Sequence, residues 1–133
     1  MLSLNQIGMD FNPNEVTYNY VSGLILSNIT HLTDLNMRFS PGLNCIVGGR
    51  GTGKSTIVDA IKYGLNCGRD LSTCTLLDKT MKSDGQITTY FNFGISRHYK
   101  VEAKRDKKNL NFTYYNDDGE QQQPPEFKID FII

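Results

Sequence analysis

An α/β fold with a mixed, mainly antiparallel sheet is predicted by three observations. A glycine-rich segment, residues 48–53, stands between a short apolar run and an amphipathic helical segment. Two strand-like segments precede it. Three alternating segments follow it at hairpin spacing.

Residues 1–20 are polar, with Pro13 and several asparagines, and show no clean period. They read as a loose N-terminal extension, with a short strand near residues 17–20, ahead of one domain over residues 21–133. Leu24, Ile25, Leu26 and Ile29 mark the next strand. Leu35, Met37 and Phe39 alternate with Asn36 and Arg38, the pattern of a strand with one buried face. Ser40-Pro41-Gly42 is a turn signal. The apolar run 43–47 suits a strand buried on both faces. A helix over residues 54–65 follows, with Ile57, Val58, Ile61 and Leu65 on one face and Gly64 and Gly68 as stops. Residues 67–84 lack a period, but Leu71, Leu76, Leu77 and Met81 suit a short packed helix.

Beyond residue 86 the period changes to two. Ile87, Thr89, Phe91 and Phe93 form one alternating set; Tyr99, Val101 and Ala103 a second; Leu110, Phe112 and Tyr114 a third. Breaks at 94–96, 106–109 and 117–119 are hairpin-length, which predicts antiparallel pairing. Residues 127–133 read as a last strand.

Composition excludes several classes. Fourteen basic residues balance fourteen acidic ones, so the surface as a whole does not attract nucleic acid or anionic lipid. No apolar run approaches the ~18 residues of a membrane helix, and no signal-peptide pattern opens the chain. Three cysteines at irregular spacing (Cys45, Cys67, Cys74) argue against a disulfide framework, and no zinc motif is present. A reducing, cytoplasmic setting follows as the expectation. Cys45 reads as a small core residue, and His31 and His98 stand without metal-ligand company.

The segment that carries chemistry is Gly48-Gly49-Arg50-Gly51-Thr52-Gly53-Lys54-Ser55, which fits G-x-x-x-x-G-K-[ST] in full. A triphosphate needs several donors aimed inward. Successive backbone N–H groups supply them where the chain wraps tightly, and glycine permits that wrap. Gly48, Gly51 and Gly53 serve it. A helix starting near Lys54 adds its free N–H groups and positive dipole end. Lys54 brings a charge to the β/γ-phosphates, and Ser55 brings a hydroxyl to Mg²⁺. The expected ATP-Mg²⁺ site is therefore Gly48, Gly49, Arg50, Gly51, Thr52, Gly53, Lys54, Ser55 and Thr56, with Lys54 as the catalytic side chain and Ser55 as the metal ligand. The bland alternative is a glycine-rich strand-to-helix turn that binds nothing.

The motif, with Asn28, Phe39, Gly42-Leu43-Asn44, Ile46-Val47-Gly48, Lys54-Ser55-Thr56 and Asp59-Ala60-Ile61, resembles the N-terminal lobe of ATP-binding-cassette ATPases of the RecF/SMC-like branch of P-loop NTPases. Gly48-Gly49-Arg50-Gly51, with Arg50 where many members carry Asn, is more similar to TrlF-type ATPases of DNA repair and phage defence. The resemblance implies an ATPase coupling ATP binding and hydrolysis to DNA repair, DNA maintenance or phage defence. It also implies a second ATPase lobe or homodimer, DNA as a partner, and no membrane. The glutamine loop, signature motif and Asp-Glu pair of such enzymes are not found; Ile129-Asp130-Phe131 does not qualify. The chain then reads as the first lobe of a longer protein, binding ATP without turnover alone. Alternatives are a transporter nucleotide-binding domain and a non-hydrolysing ATP-binding module. The long segment 68–84 and the meander favour the DNA-linked branch.

Two lesser features have paired readings. Arg97, Lys100, Lys104, Arg105, Lys107 and Lys108 form either a solvated hairpin or a DNA-phosphate contact. Tyr18 and Tyr20 either pack in a strand or stack on a nucleobase.

Overall fold

The computed structural model describes residues 2–3, 19–30, 32, 34–42, 44–45, 53–65, 74–93 and 97–124. Its elements are β1 (Leu2–Ser3), β2 (Tyr20–Ile29), β3 (Leu35–Arg38), β4 (Asn44–Cys45), α1 (Lys54–Gly64), α2 (Thr75–Thr80), β5 (Met81–Phe93), β6 (Arg97–Asp106), β7 (Asn109–Tyr115) and β8 (Gln121–Gln122). Six strands form one sheet in the order β3-β2-β5-β6-β7-β8, and β1 and β4 form a separate pair. Every pairing is antiparallel. This is the α/β lobe that the sequence predicts, with the hairpin breaks where they were expected.

Alternation explains which face is buried. Leu24 and Leu26 of β2, Ile87, Thr89 and Phe91 of β5, and Val101 and Ala103 of β6 are almost fully buried. Register places Leu24 opposite Thr89, Thr89 opposite Val101, and Val101 opposite Tyr114. This row faces α1. Ile57, Ala60 and Tyr63 join Leu24, Leu26, Ile29, Leu32, Leu77 and Met81 in one core cluster, and Leu65 joins Phe91, Val101 and Tyr114 in a second. The helix thus crosses the sheet from the Ile29–Met81 end toward Phe91.

Close approach fixes that crossing at Gly64. A Cβ there would lie 2.6 Å from Ile87 Cγ2 and 3.0 Å from Thr89 Oγ1. The sequence suggested Gly64 as a helix stop. It is the last helical residue, with Leu65 as the cap, but its closeness to the sheet is the stronger reason for a glycine. Val58, expected on the apolar face, is 37% exposed instead. The buried stripe runs through Thr56, Ile57, Ala60, Tyr63 and Gly64, because the helix turns its small residues to the sheet.

Other boundaries shift. The strand expected from residue 24 begins at Tyr20, so Tyr20 belongs to the sheet and not to the extension. Leu2–Ser3 pairs with Asn44–Cys45, giving the start of the chain a backbone role beside β4. Asn44 and Cys45 are half-buried, while Leu43 and residues 46–47 lie outside the described residues. The short helix expected within 67–84 is α2, with Leu77 fully buried. The expected strand 127–133 lies outside the described residues.

Candidate functional site

The site is described from Gly53 onward; Gly48, Gly49, Arg50, Gly51 and Thr52 lie outside the described residues. Gly53 is the N-cap of α1 at φ 89°, a left-handed conformation that favours glycine. Its carbonyl accepts the first helical bond from Ile57 N–H at 3.0 Å. Gly53 has no side chain with which to cap this terminus, and the first turn contains no acidic residue. An N-cap residue without a side chain leaves the leading N–H groups and positive dipole end to another acceptor.

The first turn divides by exposure. Lys54 and Ser55 are exposed, whereas Thr56 is buried. The two side chains expected to meet phosphate and metal therefore stand at the surface, at the start of the helix. Thr56 belongs to the packing face. Leu32 supports the turn from below. A Cβ on Gly53 would lie 3.1 Å from Leu32 Cδ2, and Leu32 is held by its N–H bond to Ile29 O at 2.9 Å. A triphosphate with Mg²⁺ fits this donor set: N–H groups, an ammonium and a hydroxyl with no carboxylate in the turn.

Asn44 has a structural role that sequence reasoning missed. Its Oδ1 accepts Ser40 N–H at 2.9 Å, and its Nδ2 donates to Ser40 O at 2.8 Å and Gly42 O at 3.2 Å. One amide thus closes the turn that feeds β4 and the glycine-rich segment. The Gly-x-Asn spacing was the available signal.

Of the six basic residues near the β6–β7 hairpin, Arg105 follows neither the solvated nor the DNA-contact reading, because it is bonded within the chain. Its Nη1 donates to Asp78 O at 2.7 Å and Met81 O at 2.6 Å, and its Nη2 pairs with the Asp78 carboxylate. The guanidinium is spent on the end of α2. Lys104, Lys107 and Lys108 remain exposed. Lys100 lies 4.6 Å from the centroid of the Tyr115 ring.

Tyr20 packs within the sheet. Its hydroxyl accepts from Asn92 Nδ2 at 2.6 Å, and Asn92 Oδ1 lies 2.6 Å from His98 Nδ1. Tyr18 and His31 lie outside the described residues. Burial raises the Cys74 thiol above its usual range, with nearby Asp59 adding to the rise. Among the described residues no group of His, Cys, Asp and Glu could hold a metal, and no helix is long and apolar enough to cross a membrane.

A family model described as an AAA domain matches residues 24–131. The chain belongs to this family, as an N-terminal lobe of the RecF/SMC-like ABC-type ATPase class. Among its relatives is the DNA double-strand break repair Rad50 ATPase of Sulfolobus acidocaldarius, 35% identical over 68 residues, which are 50% of this chain and 8% of the relative. Another is the DNA replication and repair protein RecF of Phocaeicola vulgatus, 27% identical over 97 residues, 63% of this chain and 26% of the relative. The chain therefore aligns with a minor part of either protein.

Two solved structures share the fold. One, from work on ATP-driven dimerization and DNA-stimulated activation of SMC ATPases, superposes with a TM-score of 0.54 at 18% identity, over 78% of this chain and 72% of that one. The other is the recombination mediator RecF bound to ATP, with a TM-score of 0.60 at 17% identity, over 86% of this chain and 30% of that one.

Proposed function

We propose that the chain is the ATP-Mg²⁺-binding lobe of a RecF/SMC-like ATPase whose nucleotide cycle serves DNA repair, DNA maintenance or phage defence. The observation that carries this reading is the start of α1. A left-handed glycine, with no side chain to cap the helix, leads into a first turn with no acid, and Lys54 and Ser55 stand exposed there. Gly48 to Gly53 would wrap the phosphates with backbone N–H groups. Lys54 would neutralise β/γ charge, and Ser55 would ligate Mg²⁺. The bound metal supplies charge compensation on the phosphoryl oxygens.

The relatives' names support the DNA-linked branch: one is a double-strand break repair ATPase, the other a replication and repair protein. Membership of this class also favours a second lobe or second copy that completes the active site, in a reducing cytoplasm. Phosphoryl transfer needs a positioned water and a group to orient it, and the sequence has no apolar strand ending in Asp-Glu. Binding without steady turnover is the property of this chain by itself. Calorimetric titration with ATP-Mg²⁺ tests the reading: wild type binds, and Lys54→Ala loses most of the affinity. Equal binding by the two would overturn it.

A further inference from the structure

The six-stranded sheet has a second face. Register places Arg38, Gly23, Tyr90 and Lys100 in one cross-strand row, continued by Tyr115. These positions alternate with the buried row that faces α1. Among the described residues no helix covers this side. Tyr90 is 38% exposed and lies against Gly23, where an added Cβ would touch its Cδ2 at 3.4 Å. Glycine thus lets the ring lean over the neighbouring strand and leaves its outer side to solvent.

Cations share this face. Lys100 is held over Tyr115. Arg38 and Lys104 are exposed on the same face, with the imidazole of His98, against the half-buried Glu102 and the exposed Asp106. Glu102 is within 3.4 Å of Gln86 Nε2. Asn92 Nδ2 donates to Tyr20, so Asn92 Oδ1 is the acceptor, and His98 Nδ1–H donates to it. His98 Nε2 is then left for an outside partner. A shallow cleft of about 210 Å³ joins Tyr90, His98 and Lys100 to Asp117 on the turn before β8. Asp117 disfavours a phosphate at that rim but accepts base N–H groups.

An exposed ring among cations on an open sheet is the arrangement that binds unpaired nucleic acid, with bases stacked on aromatics and phosphates on the cations. A duplex keeps its bases stacked on one another and offers Tyr90 no free base face. We infer that this face binds single-stranded DNA, with a base on Tyr90 and backbone phosphates on Lys100, Lys104 and Arg38. The inference rests on the DNA-linked reading above and names the DNA class.

Fluorescence anisotropy with a single-stranded 12-mer and a duplex of equal length, without nucleotide, tests it on the whole chain. Base–aromatic stacking predicts that Tyr90→Ala weakens the single strand about 5- to 100-fold and leaves the duplex within about twofold. Tyr90→Leu, which keeps an apolar cover over Gly23, gives the same loss, and Tyr90→Phe restores wild-type binding. Wild-type affinity in Tyr90→Leu overturns the inference, as does equal weakening of both DNAs or no single-strand binding by wild type. Duplex binding that persists with an unchanged single-strand result sinks this inference alone and leaves the DNA-linked reading standing.

Discussion

Arg105 of β6 ties the β6–β7 hairpin to the end of α2 by pairing with Asp78 and by donating to the carbonyls of Asp78 and Met81. The Arg105 side chain is 13% exposed and that of Asp78 30%. Charge-assisted bonds in such a half-buried place contribute about 1.5–3 kcal/mol. Arg105→Ala should therefore lower the urea midpoint of unfolding by that order. The salt dependence of DNA binding should change little, because four of the five guanidinium N–H donors are already used, on Asp78, Met81 and Lys107. A flattened salt slope in Arg105→Ala would return the residue to the DNA contact.

Lys107 and Lys108 are the hairpin tip that remains available. Reversing both to Glu should weaken DNA binding by the complete protein and reduce its salt slope by up to about two. Stability should change little, since both side chains are exposed. An unchanged slope in titrations at several salt concentrations would mark a solvated hairpin.

Gly64 and Thr89 make a paired test of helix–sheet contact. Gly64→Ala puts a methyl against Ile87 and Thr89 and should cost about 1–3 kcal/mol through overpacking. Thr89 Oγ1 is buried with no hydrogen-bond partner among the described residues. Thr89→Val removes that hydroxyl at nearly constant shape and should stabilise by about 1 kcal/mol. Thermal unfolding of both variants decides; a destabilised Thr89→Val would mean that the hydroxyl has a partner.

The fold was legible where one face of an element meets the core and the other meets water. β5, β6 and β7 show this period, and their breaks are hairpin-length. α1 was legible in extent but not in orientation. Val58 fits the apolar arc by hydropathy, yet Gly64 lets the helix approach the sheet and brings the small-residue side inward. Arg105 could not be separated from its basic neighbours, because its partners come from residues 78 and 81, more than twenty positions away. The glycine-rich motif stands out in the sequence because phosphate chemistry demands a contiguous segment; of it, the structure describes Gly53, Lys54 and Ser55. The open sheet face was not, since Tyr90, Lys100 and Tyr115 meet only through strand pairing.

Gly53→Ala probes the turn itself. At φ 89° a side chain is strained, and the added methyl meets Leu32. A loss of about 1–2 kcal/mol in stability is expected, together with weaker ATP binding. Measured in a Leu32→Ala background, which has its own cavity cost, Gly53→Ala loses the contact but keeps the backbone strain, so its added cost should be smaller than in wild type and not zero. No added cost in that background would show that crowding, not φ, selects glycine here.

Purified chain 1–133 should release phosphate from ATP at no more than background. Its described residues place Lys54 and Ser55 at the helix start but supply no group there to orient water. A Lys54-dependent rate above background would reveal an active site already complete within these residues.

The central claim is that the start of α1 holds ATP-Mg²⁺, and calorimetric titration of wild type against Lys54→Ala tests it most directly. Loss of one charge-assisted phosphate contact, about 1.5–3 kcal/mol, predicts affinity lower by about one to two decades. Ser55→Ala should make binding less dependent on Mg²⁺. Equal affinities for wild type and Lys54→Ala, or no ATP binding by wild type, would contradict the account.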